Sequence, residues 1–348
     1  MREIRVDLDA VVANYRELRS RTSAKVCAVV KANAYGHGMH EVAKALDDAG
    51  ADALGVADLN EALELRAAGI RTRIICWLLS PKDDFELANQ SDIELGVSNF
   101  EVLEALAPGS KIHIKVDTGL GRNGFTAEQW PRLFEALAGS ELYGLFSHLA
   151  NTSEAEDLKQ QQLFEQAVAM AEGHSVTILD RHLAATAGTL SYPQMHYDMV
   201  RCGIGIYGLT PFDDRGVDWL TPAMQVTAEI ANVKRVPKGQ GVSYGYRYVT
   251  DRETTLVLVP FGYGEGMPRV SEGAEVSISG KRFKVSGRIA MDQFLVDVGD
   301  LEVAIGDEVI IFGVGGPSVE ELAQASGTIN YEIVTRIGGR AQRVFRSR

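Results

Sequence analysis

Short apolar segments alternate with amphipathic segments along the first 210 residues of the chain. The amphipathic segments space their apolar residues as a helix does, and several end at a glycine, the usual residue after a helix C-terminus. The apolar segments are short, β-branched and nearly continuous, which is typical of strands buried on both faces. The predicted strands cover residues 25–31, 53–57, 73–79, 93–97, 111–117, 142–149, 177–185 and 199–207, and the predicted helices cover 40–49, 59–68, 100–107, 128–138 and 154–171.

Strands that alternate with helices are expected to be parallel, because a helical crossover returns the chain to the same edge of the sheet. Eight such strands favour an α/β fold of the (β/α)8, TIM-like barrel type, with an open doubly wound sheet as the alternative that the pattern leaves open. In such a barrel, the active site lies at the C-terminal ends of the strands.

The alternation of strand-like and helical segments ends at Thr221 and Pro222. Strand-like segments separated by glycine-rich turns follow, with one clear late helix at 319–325 that the capping box of Ser318 and Glu321 begins. We therefore predict a barrel domain over residues 1–221 and a mainly β C-terminal domain over 222–348. The predicted strands of the second domain cover 224–236, 254–259, 275–278, 294–298 and 308–312.

The composition of the chain indicates which kinds of partner and which cellular compartment to expect for the protein. The chain of 348 residues carries a formal net charge of −12, which argues against nucleic acid and anionic membranes as partners. Charged residues at the N-terminus and the lack of a long apolar segment indicate no signal peptide and no transmembrane helix, so a cytoplasmic protein is expected. The three cysteines are scattered, which predicts neither a disulfide framework nor a metal site.

The first candidate for chemistry is Lys31, where the apolar segment of residues 26–30 ends. A lysine amine that emerges from an apolar strand can have a lowered pKa and act as a nucleophile toward an aldehyde, although a lone lysine there is more often simply solvated. The whole segment of residues 29–38, Val-Val-Lys-Ala-Asn-Ala-Tyr-Gly-His-Gly, resembles the pyridoxal phosphate attachment segment of the alanine racemases. The resemblance implies that Lys31 forms the Schiff base and that Tyr35 reaches the cofactor phosphate.

The resemblance extends over essentially the whole chain. It implies the fold-type III architecture, a barrel followed by a β domain that the N-terminal strand, about residues 4–8, joins. Segment 115–124 is similar to the one whose arginine contacts the cofactor and the substrate carboxylate, and whose lysine is often carbamylated. The further cofactor-binding and substrate-binding residues that the resemblance implies are Arg122, His148, Thr186, Arg201, Gly203, Ile204, Tyr263 and Met291, with Lys115 as the lysine open to carbamylation.

Racemisation needs a proton carrier on each face of a planar intermediate. Lys31 can serve one face. The segment Gly-Val-Ser-Tyr-Gly at 241–245 resembles the catalytic tyrosine segment of the family, which implies that Tyr244 serves the other face from the partner subunit of a homodimer. Arg201 would face the pyridine nitrogen, and because an arginine keeps its proton, the ring becomes a weaker electron sink than one paired with an aspartate.

The expected activity is the interconversion of L-alanine and D-alanine, supplying D-alanine for peptidoglycan. One departure from the family pattern suggests serine or broader specificity, because Gly339 aligns with a tyrosine that walls the pocket in many relatives. Further departures are Thr186, Cys202, Gly264, Glu265 and Ala290. A decarboxylase of the same architecture fits Tyr244 and Arg201 poorly. A non-catalytic pyridoxal phosphate carrier would resemble the barrel alone.

Overall fold

The computed structural model describes residues 1–271 and 273–347. Their strands are β1 (Arg2–Asp7), β2 (Lys25–Val29), β3 (Ala53–Val56), β4 (Ile74–Cys76), β5 (Ile93–Val97), β6 (Lys111–Lys115), β7 (Glu141–Leu142), β8 (Gly144–Phe146), β9 (Thr177–Ile178), β10 (Arg181–His182), β11 (Met199–Cys202), β12 (Met224–Glu229), β13 (Asn232–Val236), β14 (Gly241–Val242), β15 (Tyr248–Val249), β16 (Thr254–Val259), β17 (Glu275–Ile278), β18 (Lys281–Lys284), β19 (Phe294–Gly299), β20 (Glu308–Phe312) and β21 (Gln342–Arg346).

The helices of the same residues are α1 (Leu8–Ser20), α2 (Lys31–Tyr35), α3 (Met39–Asp48), α4 (Leu59–Ala67), α5 (Phe85–Gln90), α6 (Phe100–Ala105), α7 (Trp130–Ala136), α8 (Glu154–Gly173), α9 (Thr186–Ser191), α10 (Val319–Ser326) and α11 (Asn330–Arg336). Short 3₁₀ turns are η1 (Pro193–Met195), η2 (Ile204–Tyr207), η3 (Tyr244–Tyr246) and η4 (Tyr263–Glu265). Of these segments, none is both long and apolar enough to cross a membrane.

Eight parallel strands form the predicted barrel, in the order β10, β8, β6, β5, β4, β3, β2 and β11. A parallel bridge between Ala185 and Arg201 joins the two ends of this order and closes the barrel. The predicted α/β barrel is therefore confirmed, and the doubly wound alternative is wrong. Its strands carry nearly continuous apolar side chains because both faces are covered, and all of β5 is buried.

Nine further strands of the described residues build a second hydrophobic core from two sheets, while β7 with β9 and β14 with β15 form separate two-stranded sheets. The larger sheet has the order β18, β17, β20, β12, β1 and β21, and the smaller has the order β13, β16 and β19. β1 pairs antiparallel with β12 and parallel with β21, so the N-terminal strand lies in the sheet built by the C-terminal half. Ile4 and Val6 of this strand are fully buried in that core with Val226 and Phe312.

Two expectations for the second half are wrong in detail. The predicted strand 224–236 is two strands, β12 and β13, which lie in different sheets on either side of Ile230 and Ala231. A second late helix, α11, follows the predicted one, which the structure confirms as α10 with its Ser318–Glu321 capping box. The sequence conceals α11 because its centre is β-branched and it begins without a side-chain cap.

Candidate active site

A cavity of about 600 Å³ opens at the C-terminal ends of the barrel strands. Its walls contain four cationic side chains and no carboxylate from the described residues. A cavity lined in this way attracts an anionic ligand. The residues that line it are Val29, Lys31, Ala32, Tyr35, Ala57, Trp77, Leu78, Lys115, Arg122, Asn123, Phe146, His148, Leu149, Asn151, Ala185, Thr186, Ala187, Gly188, Arg201, Gly203, Ile204, Tyr331 and Thr335.

Lys31 enters this cavity from the end of β2. The next four residues, Ala32 to Tyr35, have φ values between +51° and +54°, so α2 is a left-handed turn. Each such residue costs ~1–2 kcal/mol, and the surroundings must hold the conformation. Glu61 holds the start of this turn by accepting hydrogen bonds from the backbone N–H of Ala32 (2.7 Å) and of Ala57 (2.8 Å), which ties the ends of β2 and β3 together.

The Lys31 amine lies in an environment that disfavours its charge. Burial is the main cause that lowers its pKa, and the charges of Arg122 and Arg201 lower it further, against an opposing effect of Glu61. A larger fraction of the amine is therefore neutral near pH 7 than for a solvated lysine. The neutral amine is the form that attacks an aldehyde.

Tyr35, Thr186 and Gly203 meet at one end of the cavity. The Thr186 hydroxyl accepts a hydrogen bond of 3.1 Å from the Gly203 N–H and keeps its own proton for another acceptor. The first residues of α9 and η2 line this end, and neither element begins with a side-chain cap, so backbone N–H groups remain available there. A Cβ on Gly203 would collide with the Tyr35 hydroxyl, so the Tyr35 side chain packs directly against the Gly203 backbone.

Arg201 is 5% exposed and has a dense set of acceptors. Its Nη2 donates to the carbonyl of Ser147 (2.7 Å) and lies 3.2 Å from Nδ1 of His148, while its Nη1 donates to the carbonyl of His182 (2.9 Å). Burial lowers the pKa of Arg201 to about 10, which still leaves the guanidinium charged at neutral pH. Burial and the Arg201 charge hold the pKa of His148 well below its usual range, so His148 is neutral and accepts through Nδ1.

Lys115 and Arg122 complete the cationic wall. The Lys115 amine donates to the side-chain carbonyl of Asn123. Burial, followed by the charges of Arg122 and Arg201, lowers the pKa of Lys115 to about 8. The structure therefore brings Lys31, Lys115, Arg122 and Arg201 into one cavity, together with the remaining barrel residues singled out from the sequence, which are Tyr35, His148, Thr186, Gly203 and Ile204.

Tyr244, Tyr263 and Met291 do not line the cavity of their own chain. They lie on the surface of the second domain, with exposed fractions of 71%, 41% and 54% respectively. Tyr244 begins η3, and the preceding Ser243 anchors this turn by donating to the carbonyl of Arg288 (2.6 Å). The three residues predicted from the second domain are thus separated from the residues predicted from the barrel.

Backbone hydrogen bonds join the turn at Tyr263 to the segment at Met291. The Tyr263 N–H donates to the carbonyl of Ala290 (3.2 Å), and the Gly264 N–H donates to the carbonyl of Met291 (2.8 Å). Tyr263 and Met291 therefore lie close together on one surface of the second domain.

One expectation about the pocket wall is wrong. Gly339 does not line the cavity, and its left-handed φ of +59° and the nearby backbone carbonyl of Gly264 leave no room for a side chain. A tyrosine from the C-terminal half does wall the cavity, but it is Tyr331 on α11, whose ring centroid lies 6.2 Å from that of Tyr35. The glycine at position 339 therefore does not enlarge the cavity.

Sequence reasoning also missed Trp77 and Asn123 as cavity residues. Trp77 follows β4, and its ring lies against Gly55 and Gly96, where any Cβ would collide with the indole. Its indole N–H is buried without a partner among the described residues. The position of Trp77 directly after a buried strand, where barrel active sites lie, was the signal that could have identified it.

Two family models match the chain, one after the other along the sequence. The alanine racemase N-terminal domain matches residues 6–211, and the alanine racemase C-terminal domain matches residues 223–345. Among curated proteins, the alanine racemase of Thermobifida fusca is 44% identical, covering 99% of this chain and 97% of that protein. The alanine racemase of Mycolicibacterium smegmatis is 41% identical over 98% of this chain and 93% of that protein.

Solved structures agree with these matches. Alanine racemase from the D-cycloserine producer Streptomyces lavendulae superposes with a TM-score of 0.96 at 43% identity, covering 100% of this chain and 97% of that one. Alanine racemase from Streptomyces coelicolor superposes with a TM-score of 0.95 at 41% identity, covering 100% and 98%. The chain belongs to the alanine racemase family, which is a family of isomerases, and the resemblance seen in its motifs is confirmed.

Proposed function

We propose that this protein interconverts L-alanine and D-alanine with pyridoxal phosphate as cofactor, and that it supplies D-alanine for peptidoglycan. The observation that carries the proposal is the position of the Lys31 amine. It lies at the end of β2 in a cavity with three other cations, and its pKa is lowered. A partly neutral amine in a cationic cavity suits an aldehyde that carries a phosphate.

The hydrogen-bond donors of the cavity suit the phosphate of pyridoxal phosphate. Tyr35 and Thr186 offer hydroxyls, and the uncapped first turns of α9 and η2 offer N–H groups where the phosphate would lie. Ile204 and Gly203 bring their backbone close to that point, and the Gly203 N–H is held by Thr186. Arg201 supplies positive charge along the cavity wall, as do the other cations.

Pyridoxal phosphate, when bound, withdraws electrons from an attached amino acid and so acidifies its Cα–H. Lys31 Nζ removes or returns the proton at Cα on one face. Arg201 would face the pyridine nitrogen and keep its own protons, because its guanidinium stays charged. Arg122 orients the substrate carboxylate through its fork of N–H donors.

We assign the second proton carrier to Tyr244 of another copy of the chain. One base returns a proton mainly to the face it came from, so inversion at Cα requires a base on the opposite face. Tyr244 is 71% exposed and lies outside the cavity of its own chain. A homodimer that sets Tyr244, Tyr263 and Met291 over the partner cavity would supply the base and two substrate contacts.

Lys115 is proposed as a site of carbamylation. Carbon dioxide adds to a neutral amine, and a pKa of about 8 gives Lys115 a larger neutral fraction than a solvated lysine has. A carbamate at this position would bring a negative charge close to Arg122 and help to hold that side chain in place.

The two domains are proposed to divide at residues 221 and 222. The barrel, residues 1–221, would hold the cofactor. The β domain, residues 222–348, would present Tyr244 to the partner and would include the N-terminal strand in its sheet. The pairing of β1 with β12 and β21 supports the inclusion of the N-terminal strand in the second domain.

Activity of the purified protein tests the proposal. After saturation with pyridoxal phosphate, L-alanine and D-alanine are each incubated with the protein, and both enantiomers are followed by chiral chromatography. We expect conversion in both directions, a loss of more than about a thousandfold for Lys31→Ala, and little change for the exposed Lys82→Ala. Cofactor bound through Lys31 without conversion of either enantiomer would contradict the proposed function.

A further inference from the structure

We propose that Glu94 is a positioning residue for Arg201, acting through a chain of two buried histidines, His113 and His182. Glu94, His113 and His182 do not line the cavity, so they act through Arg201 and not on a bound molecule. The role of Arg201 at the cofactor ring rests on the proposed function, whereas the chain of hydrogen bonds is a property of the protein alone.

The four side chains are connected without a gap. Nη1 of Arg201 lies 3.1 Å from Nδ1 of His182. Nε2 of His182 lies 3.0 Å from Nδ1 of His113, and Nε2 of His113 lies 2.8 Å from Oε2 of Glu94. Each of these four residues is at most 5% exposed, so bulk water does not compete for the bonds between them.

The donor and acceptor of each hydrogen bond follow from the two residues at the ends of the chain, Glu94 and Arg201. Glu94 as a carboxylate only accepts, so His113 must carry a proton on Nε2. Arg201 only donates, so Nδ1 of His182 must be an acceptor and the proton of that ring must lie on Nε2. This proton points at Nδ1 of His113, which therefore accepts and carries none. The carboxylate at one end thus fixes which histidine nitrogen faces Arg201 at the other end.

The charge of Glu94 is held in place from the other side. Arg73 donates to both of its carboxylate oxygens, at 2.8 and 2.9 Å, and also to Asp180, which pairs with Lys25. Burial opposes ionisation of Glu94, but the hydrogen bonds from His113 and Arg73 outweigh it and lower its pKa to about 2. The Glu94 carboxylate, at the acceptor end of the chain, therefore stays ionised at neutral pH.

Arg201 depends on this arrangement because its other acceptors are neutral. They are the carbonyls of Ser147, His182 and Leu183 and the imidazole of His148. If His182 carried its proton on Nδ1, two N–H donors would face each other and the guanidinium would have to turn. Rotation of the His182 ring is restricted, since it stacks on Phe146 with centroids 4.8 Å apart and an interplanar angle of 3°.

The direct test determines the histidine tautomers. Protein labelled with ¹⁵N at histidine, without cofactor, is measured by long-range ¹H–¹⁵N correlation, and the two signals are assigned with His113→Gln and His182→Gln. We expect neutral rings protonated on Nε2 at both positions. A proton on Nδ1 of either ring, or a charged His182, would overturn the proposal. This measurement needs no pyridoxal phosphate and no activity, so it stands apart from the proposed function.

The functional test uses Glu94→Gln, which keeps the shape but places an N–H₂ group against Arg73 or His113. The control is Asp92→Asn, an exposed acid next to β5 that pairs with Lys111 on the surface. With pyridoxal phosphate bound, we expect Glu94→Gln to shift the cofactor absorbance and to lower kcat for alanine by about 10- to 100-fold, with KM within about twofold. The control should leave all three unchanged. Wild-type absorbance and kcat in a folded Glu94→Gln protein would overturn the proposal.

Discussion

Lys31 and Lys115 lie in one cavity, and burial lowers the pKa of both amines. The two amines differ in their contacts. Lys115 donates to Asn123, whereas Lys31 leads into a strained turn whose first N–H is held by Glu61. These contacts support the proposed roles, in which the Lys31 amine reacts with the aldehyde and Lys115 orders the cationic wall.

The lowered pKa of Lys31 predicts the pH dependence of cofactor attachment. The neutral amine attacks the aldehyde, so the rate of pyridoxal phosphate binding to the apoprotein should rise with pH around a midpoint below that of a solvated lysine. Arg122→Gln removes a charge that lowers this pKa, so the midpoint should move upward. Stopped-flow absorbance measures the rate. A midpoint at or above that of a solvated lysine would contradict this account of Lys31.

Tyr331 should restrict the size of the substrate. Its ring lines the cavity, so Tyr331→Ala should widen it, lower kcat/KM for L-alanine by about tenfold, and raise the ratio of L-serine to L-alanine turnover. Tyr143→Ala, which removes a tyrosine that contacts Lys111 at the start of β6, is the matched control. Kinetics with both amino acids give the ratio, and an unchanged ratio in Tyr331→Ala would show that the ring does not set specificity.

At the scale of elements, the first turns of α9 and η2 and the side chain of Tyr35 line the end of the cavity where the cofactor phosphate is proposed to bind, here called the anion-binding end. The motifs around Tyr35 and Gly203 could be recognised because they are contiguous in sequence. The helix α11 could not be predicted in this way, since its centre is β-branched and it begins without a side-chain cap. Tyr331 was therefore overlooked, and its wall position was assigned to Gly339.

Gly203→Ala tests the anion-binding end. The new methyl group would collide with the Tyr35 hydroxyl, and overpacking of this kind costs ~1–3 kcal/mol, equivalent to a roughly 5- to 150-fold higher Kd for pyridoxal phosphate. Gly173→Ala at the end of α8, where a Cβ meets open space, is the matched control. Fluorescence titration of the apoprotein gives both constants. Equal Kd values would mean that the phosphate lies elsewhere.

At the scale of the whole molecule, the barrel was predictable because each strand and helix shows its own local pattern. The pairing of β1 with β21 and the placement of β12 and β13 in different sheets depend on contacts distant in sequence, which no local pattern contains. The same holds for the Glu94–His113–His182 chain, whose members are polar residues on three separate strands. These residues become neighbours only when their strands pair in the closed barrel.

Each active site is proposed to combine Lys31 of one chain with Tyr244 of another. Mixing two inactive variants, Lys31→Ala and Tyr244→Phe, tests it most directly, after unfolding and joint refolding or by co-expression. If the two residues act across a twofold interface, every mixed dimer regains one intact site, and racemisation should recover to about a quarter of the wild-type rate. Chiral assay of the mixture, beside each variant alone, gives the answer. If mixed dimers form but no activity returns, the two residues act within one chain, and the shared-site account is wrong.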